Sequence, residues 1–224
     1  TSLVVIVFRE GNPLGIRDWA DLVGGKEVEV LAPDPKASGG AMWNVMAAYG
    51  AAKRGRVGGY PEGEEGAKRF LADLFRRVFV LDKSARDSII NYERGVGDVL
   101  LTYENEAWVG KLAGKTYGYV IPSSTIRIEN PVAVVDRYAE KHGVRPAAEA
   151  FVDFLWTKEA QQVFAELGYR SVQPEVAEAF RSRFPEPQEV WDIGYFSGWQ
   201  KAAPDFFGPQ GVFTKLMEEI HRER

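Results

Sequence analysis

The chain has 224 residues, no cysteine and a formal net charge of −4. The lack of cysteine excludes disulfides, thiol catalysis and cysteine-ligated metals, and the acidic balance disfavours a nucleic-acid surface, which needs a basic face. With 45% hydrophobic residues the chain can bury a core, and its length permits one large domain or two smaller lobes. It contains no run of about 20 apolar residues, so we predict no transmembrane segment.

Strands and helices alternate along the first half of the chain. We predict strands at 3–8, 27–31, 78–80 and 98–103, and helices at 16–22, 41–53, 64–76 and 88–94. This alternation predicts an α/β fold with a largely parallel sheet. Beyond residue 122 we predict a crossover strand at 131–135 and helices at 146–157, 158–167, 174–184 and 211–221.

The segment from Ala32 to Asn44 joins a predicted strand to a predicted helix through Ser38, Gly39 and Gly40. The first amides of a helix lack intrahelical partners and carry the positive end of the helix dipole, so they can bind an anion. The glycines leave room for a ligand, and the Ser38 hydroxyl adds a donor. The alternative is that Ser38 is an ordinary N-cap and the glycines only shape the turn.

Two later segments have the same strand-to-helix character. Residues 81–88 form a second turn, and residues 95–107 combine a turn, a buried strand and a change of direction. Taken alone, Asp98 is a turn residue, and Glu104 and Glu106 begin a helix. Ligands in such folds collect at the carboxyl ends of strands, which is where Ser38, Ala85 and Tyr103 are expected.

The residues give no indication of an enzyme, cofactor or metal site. His142 and His221 are the only histidines, and both lie in charged helical contexts that suit a structural or solvated role. A transferase that used the Ser-Gly-Gly turn would need a base, a metal cluster or a nucleotide loop, and none is apparent. We therefore predict a protein that is not an enzyme and has no cofactor.

Several motifs, taken together and in order, resemble the sulfate-binding protein family, the extracytoplasmic receptors of ATP-driven (ABC) sulfate and thiosulfate importers. The resemblance spans nearly the whole chain. It rests on residues 34–44, 80–82, 84–86, 97–101, 104–107, 131–136, 168–170, 198–199 and 211–213.

The resemblance implies an anion site made of uncharged donors. These are the Ser38 hydroxyl and the amides of Gly39, Gly40 and Ala85. The family has a tryptophan where this chain has Tyr103. A tyrosine hydroxyl also serves in the related molybdate and tungstate receptors, so a larger oxyanion is an alternative to sulfate.

Four further residues are candidates for supporting the site. Arg86 is expected to pair with a neighbouring carboxylate, and Asp87 to face solvent. The alternative for Asp87 is that its carboxylate lies within reach of the anion and accepts a proton from phosphate. Glu104 and Asn105 flank Tyr103 as they do in the sulfate receptors. A site made only of donors suits sulfate, because phosphate would keep a proton without an acceptor.

The resemblance also implies a type II periplasmic-binding-protein-like fold: two lobes with mainly parallel sheets, joined by crossover strands, that close over the ligand. Residues 10–122 would form the second, central lobe, and residues 1–9 and 123–224 the crossovers and the C-terminal part of a first lobe that is incomplete here. The expected partner is an ABC permease and the expected compartment the periplasm. The alternative is a shortened sensor or interaction module that no longer transports.

Overall fold

The computed structural model describes residues 1–25 and 27–223, which contain seven strands and ten α-helices. The strands are β1 (Ser2–Phe8), β2 (Val30–Pro33), β3 (Val78–Asp82), β4 (Val99–Tyr103), β5 (Gly118–Val120), β6 (Ser124–Ile128) and β7 (Glu189–Trp191). The helices of the first half are α1 (Gly39–Lys53), α2 (Glu64–Arg76), α3 (Ala85–Glu93) and α4 (Glu104–Leu112). Those of the second half are α5 (Asp136–Lys141), α6 (Arg145–Leu155), α7 (Lys158–Glu166), α8 (Pro174–Ala179), α9 (Trp199–Phe207) and α10 (Val212–Glu223). Two short 3-10 helices span Trp19–Leu22 and Ile193–Phe196.

The strands form one mixed sheet in the order β3-β2-β4-β1-β6-β7, with β5 also paired to β1. Strand β2 runs parallel to β3 and β4, and β6 runs parallel to β7. Strand β1 runs antiparallel to both β4 and β5. The predicted α/β class with a largely parallel sheet is confirmed, and β1 is its antiparallel member.

Helix α2 begins and ends where the sequence predicts. Its acidic residues Glu64 and Glu65 lie in the first turn, where they favour the helix dipole. Its apolar residues recur at helical spacing, so Phe70 and Leu74 are fully buried while the opposite face is polar. The amphipathic periodicity of the sequence therefore determines the position and the buried face of this helix.

Strand β2 lies further along the chain than the predicted range of 27–31. Residues 27–29 form the irregular segment that precedes this strand. The Glu29 carbonyl there accepts a hydrogen bond from the Asp98 amide at 2.8 Å. All four residues of β2 are buried, because helices cover both faces of the central strands. Leu31 packs there against Ile89 and Tyr92 of α3.

Three other predicted ranges need correction. The helix predicted at 16–22 is only the 3-10 turn Trp19–Leu22, because the Asp18 carboxylate accepts from the Trp19 amide and caps the turn at that point. The helix predicted at 174–184 ends at Ala179. The crossover strand predicted at 131–135 is wrong: these residues are irregular, and the strand lies earlier, in β6.

The described chain divides into two compact units. One comprises residues 1–2 and 128–185 and contains helices α5 to α8, with a small core of Ala165, Val176 and Phe184. The other comprises residues 3–127 and those from 186 onward, and it contains most of the sheet. The division into lobes at 10–122 stays a prediction.

Candidate anion-binding site

Three helices begin at one edge of the sheet. Strands β3, β2 and β4 are neighbours and parallel, so their carboxyl ends lie at the same edge. Helix α3 follows β3, helix α1 follows β2, and helix α4 follows β4 without a break. Since the first amides of each helix lack intrahelical acceptors, this edge gathers the positive ends of three helix dipoles. Ser38, Ala85 and Tyr103 all lie at these helix starts.

Ser38 is the N-cap of α1, but its hydroxyl makes no capping hydrogen bond. Its backbone is extended, with φ −128° and ψ 116°, and its amide donates to the Asp34 carbonyl at 2.8 Å. Ser84, the N-cap of α3, behaves differently. The Ser84 hydroxyl oxygen accepts from the Asp87 amide at 3.1 Å. The Ser38 hydroxyl is therefore available to a ligand, whereas the Ser84 hydroxyl is engaged in its own helix.

Gly39 borders open space, whereas Gly40 lies close to two side-chain hydroxyl groups. A Cβ atom placed on Gly39 would meet nothing within 4 Å, so this residue borders open space. A Cβ atom placed on Gly40 would lie 2.9 Å from the Tyr103 hydroxyl oxygen and 3.5 Å from Oγ of Ser38. The two hydroxyl groups thus converge beside Gly40, at a point that any side chain there would occupy.

Tyr103 reaches across from the end of β4 to the first turn of α1. Its hydroxyl donates to the Gly40 carbonyl oxygen at 3.0 Å. The structure therefore brings three of the predicted ligand residues, Ser38, Gly40 and Tyr103, into one cluster. Ala85 is the first residue of the neighbouring helix α3. Whether these four residues and Gly39 bind an anion stays a prediction.

A backbone hydrogen bond that the sequence did not reveal links the two turns. The Asp34 amide donates to the Asp82 carbonyl at 2.7 Å, which ties the loop before α1 to the end of β3. The Asp34 carboxylate accepts from the Lys36 amide at 2.8 Å, and the Asp34 carbonyl accepts from the amides of Ala37 and Ser38. The Asp-Pro pair at 34–35 is a turn signal that could have marked this loop.

Asp82 is a second residue that the sequence did not single out. Its side chain is almost fully buried, and Oδ1 accepts from the Asn91 amide group at 2.6 Å. Asn91 lies on α3, so this bond fixes the helix to the strand that precedes it. Asp34 and Asp82 together hold the helix starts in place.

Of the two candidate supporting residues on α3, one differs from its predicted role and one agrees with it. Arg86 is exposed and makes no ion pair with any residue that the structure describes, so the expected pairing is wrong. Asp87 is exposed, as expected, and it accepts from the Ser84 hydroxyl at 2.8 Å.

Glu104 and Asn105 begin α4, and both are buried. The Asn105 amide group donates to the Glu106 carboxylate at 3.3 Å. The sequence predicted the helix start correctly. It gave no sign that the first glutamate would be inaccessible to water.

Three cationic side chains, Lys36, Lys83 and Arg86, are exposed beside the two turns, together with the carboxylate of Asp87. Groups of histidine, aspartate or glutamate that could hold a metal ion are absent from residues 1–25 and 27–223. The arrangement can therefore attract an anion and hold it with neutral donors.

Comparison with known proteins first defines the class. Residues 1–170 match a family model described as bacterial extracellular solute-binding protein. Within the part of the chain that the structure describes, no helix is long and apolar enough to cross a membrane.

Individual relatives then identify the family within this class of solute-binding proteins. The chain is 42% identical over 220 residues to the sulfate-binding protein of Synechococcus elongatus. This match covers 98% of the chain and 61% of the relative. The chain is 35% identical over 223 residues to the thiosulfate-binding protein of Pseudomonas aeruginosa, covering 96% and 64%. The solved sulfate-binding protein SubI of Mycobacterium tuberculosis matches with a TM-score of 0.83 at 39% identity, over 92% of this chain and 69% of that one.

The chain belongs to the sulfate-binding protein family of ABC-importer solute receptors. It spans a little over three fifths of the length of these curated relatives. Because solute-binding proteins are receptors and not enzymes, the prediction of a non-enzymatic protein is confirmed.

Proposed function

We propose that this chain binds sulfate, or thiosulfate, at the edge of the sheet where α1, α3 and α4 begin, and that the protein delivers this anion to an ABC importer. The ligands are the Ser38 hydroxyl and the amides of Gly39, Gly40 and Ala85, with Tyr103 completing the site. The partner is the permease of the importer and the compartment is the periplasm. Relatives named as sulfate- and thiosulfate-binding proteins support this reading.

One observation carries the proposal. The Ser38 hydroxyl sits at a helix N-cap and yet makes no capping bond. An N-cap serine whose role is structural gives its oxygen to a nearby amide, as Ser84 does. A hydroxyl held beside unpartnered helix amides and a second hydroxyl is instead placed to donate to a ligand.

The test is calorimetric titration of the purified chain with sulfate, together with Ser38→Ala. Losing one hydrogen bond to a charged group costs about 1.5–3 kcal/mol, so the substitution should weaken binding about ten- to hundredfold. Its stability should change by less than about 0.5 kcal/mol, because no capping bond is lost.

Ser84→Ala is the matched control. It removes a true cap and should lower the free energy of unfolding by about 1 kcal/mol while leaving sulfate affinity nearly unchanged. A folded chain that binds no sulfate or thiosulfate would contradict the proposal, as would a Ser38→Ala variant with unchanged affinity.

A larger tetrahedral oxyanion such as molybdate or tungstate is a second candidate. Tyr103 favours it, because a tyrosine stands where the sulfate receptors carry a tryptophan, and a phenol reaches differently from an indole. Titration with molybdate under the same conditions distinguishes the two. Tighter binding of molybdate than of sulfate would favour the larger anion.

A further inference from the structure

We infer that Asn44 is a positioning residue of the anion site: its carboxamide holds α1 at a set distance from β4, and this distance adjusts the site to the size of the anion. The inference rests on the proposed function, because it concerns how the same site selects its ligand. The side chain of Asn44 lies below the surface of the molecule, 3% exposed, one helical turn beyond Gly40.

Asn44 makes a buried hydrogen bond between two elements that are distant in sequence. Its Nδ2 atom donates to the Leu101 carbonyl oxygen at 3.0 Å, across 57 positions of the chain. Asn44 lies on α1, and Leu101 lies on β4, two residues before Tyr103. A carbonyl oxygen can only accept, so the carboxamide turns its NH2 group toward the strand. This bond fixes where α1 lies along β4, because hydrophobic packing alone has no preferred direction.

The oxygen of the same carboxamide limits what Asn44 contributes to stability. Within residues 1–25 and 27–223, Oδ1 of Asn44 is buried and has no hydrogen-bond partner. Burying an unpaired acceptor costs free energy, and a leucine, which has nearly the same shape, would avoid that cost. The bond from Nδ2 is therefore largely offset in the stability of the fold, and its main effect is to align the helix with the strand.

A second hydrogen bond crosses the same gap one turn nearer to the site. The Tyr103 hydroxyl, on β4, donates to the Gly40 carbonyl oxygen at 3.0 Å, and Gly40 precedes Asn44 by four residues. An α-helix repeats every 3.6 residues, so Gly40 and Asn44 lie on the same side of α1. One bond is donated by the helix and the other by the strand. Together they hold the start of α1 against the end of β4.

The separation of α1 and β4 bears on which anion fits. The proposed donors of α1 are the Ser38 hydroxyl and the amides of Gly39 and Gly40. Tyr103 lies opposite them, at the end of β4. Hydrogen bonds weaken when the distance between donor and acceptor leaves the range of about 2.7–3.2 Å. Without the Asn44 bond, α1 can move away from β4, and a small anion then loses more contact than a large one.

The experiment is calorimetric titration of the wild-type chain, Asn44→Leu and Thr125→Val with sulfate and with molybdate, beside urea denaturation of each. Asn44→Leu removes the donor and the unpaired acceptor together, so its unfolding midpoint should stay close to that of the wild type. Its sulfate affinity should fall about tenfold and its molybdate affinity less than about threefold, which shifts the ratio of the two affinities toward molybdate. A purely structural role would lower stability and leave this ratio unchanged.

Thr125→Val is the matched control. Thr125 is buried on β6, and its hydroxyl donates to the Val4 carbonyl oxygen at 2.8 Å. The substitution therefore removes a buried bond of the same kind, from a side chain to a strand carbonyl, at another place in the sheet. The ratio of sulfate to molybdate affinity should be the same in this variant as in the wild type.

Circular dichroism establishes that each variant is folded, and Asn44→Ala, which is too small to clash, carries the test if leucine does not fit. A wild type that binds sulfate, with a ratio that is unchanged in the Asn44 variants or shifted equally in Thr125→Val, overturns this inference and leaves the proposed function intact. If the wild type binds sulfate alone, unchanged sulfate affinity in the Asn44 variants overturns it in the same way. A wild type that binds neither anion overturns both proposals.

Discussion

At the scale of single residues, two adjacent glycines of α1 have different surroundings. Gly39 and Gly40 are adjacent in α1, and neither has a positive φ, so alanine is compatible with the backbone at both. They differ in what an added methyl group would meet. At Gly39 it would project into open space, and at Gly40 it would press on the Tyr103 hydroxyl.

Gly39→Ala should therefore keep or slightly raise stability, since alanine is favoured over glycine in helices by up to about 1 kcal/mol. It should nevertheless weaken sulfate binding, because its methyl group enters the space that a ligand on the α1 amides would use. Chemical unfolding and calorimetry on one preparation separate the two effects. Unchanged affinity in this variant would argue that the anion lies elsewhere.

Gly40→Ala forces the Tyr103 hydroxyl to move, because a contact of 2.9 Å between a methyl carbon and this oxygen is too short. We expect a loss of affinity larger than that of Gly39→Ala, together with a stability loss of about 1–3 kcal/mol from overpacking. Gly39→Ala is its matched control. A Gly40→Ala variant as stable and as tight in binding as the wild type would contradict the geometry of the site.

At the scale of elements, the loop between α3 and β4 is held by one arginine. The Arg9 guanidinium donates to the carbonyls of Tyr92, Val96 and Gly97, and it stacks 3.8 Å from the centre of the Tyr92 ring. A planar fork with five donors can satisfy three carbonyls at once, which a lysine ammonium cannot do with the same geometry.

Arg9→Lys keeps the charge and should still lower the free energy of unfolding by about 1–3 kcal/mol, measured by urea denaturation. Arg86→Lys is the control, since Arg86 is exposed and makes no ion pair among the described residues, and its change should stay within about 0.5 kcal/mol. Equal changes in the free energy of unfolding would show that the contacts of Arg9 contribute no more to stability than an exposed arginine does.

The elements also separate what the sequence predicts from what it does not. The 64–76 helix is predicted to the residue because its own periodicity and first-turn charges determine it. Helix α9 was missed because Pro204 lies inside it, and proline normally ends a helix. Strand β7 has three residues and forms only by pairing with β6, so no local pattern reveals it.

The features of the candidate site also separate into those that the sequence predicts and those that it does not. The Ser-Gly-Gly turn and the three strand ends could be predicted, because turn chemistry and strand order are local or topological. The bond from Tyr103 to Gly40 joins residues 63 positions apart, and the link from Asp34 to Asp82 is made by backbone atoms. Neither depends on a residue pattern, so only the folded chain displays them.

At the scale of the whole molecule, one carboxylate connects distant parts of the sheet-containing unit. Glu189 in β7 accepts from Arg54 at 2.6 Å, from Arg56 at 3.2 Å and from the Ser124 hydroxyl at 2.8 Å. The hydrogen bond from Arg54 is the main cause that lowers the pKa of Glu189 from 4.5 to about 2. A lowered carboxylate pKa stabilises the folded state above the unfolded value and loses that effect as the pH falls.

Glu189→Gln should lower the free energy of unfolding by about 1–3 kcal/mol at neutral pH, since Arg54 and Arg56 lose a charged partner. The difference from the wild type should shrink as the pH falls from about 4.5 toward 2, because the wild-type carboxylate is then protonated. Urea denaturation across this range measures it. A difference that is constant with pH would contradict the assignment.

The helical unit of residues 128–185 has a different character. No residue of α6 is buried, and its apolar residues Phe151 and Phe154 are 59% and 49% exposed. Phe151→Gln should therefore change stability by less than about 0.5 kcal/mol. Phe184→Ala, in the small core of the same unit, should cost about 3–5 kcal/mol. Thermal unfolding followed by circular dichroism compares them, and a large loss in Phe151→Gln would mean that α6 packs more tightly than described.

The hydrogen bond from the Asp34 amide to the Asp82 carbonyl has a consequence for how this site can evolve. It uses main-chain atoms only, so replacing either side chain leaves the donor and the acceptor in place. The span between the starts of α1 and α3 is thus buffered against mutation in the loops that surround it. Substitution at position 103, in contrast, exchanges one side chain at an unchanged span. If this edge binds the anion as proposed, ligand preference can diverge by single substitutions while the backbone frame of the site stays unchanged.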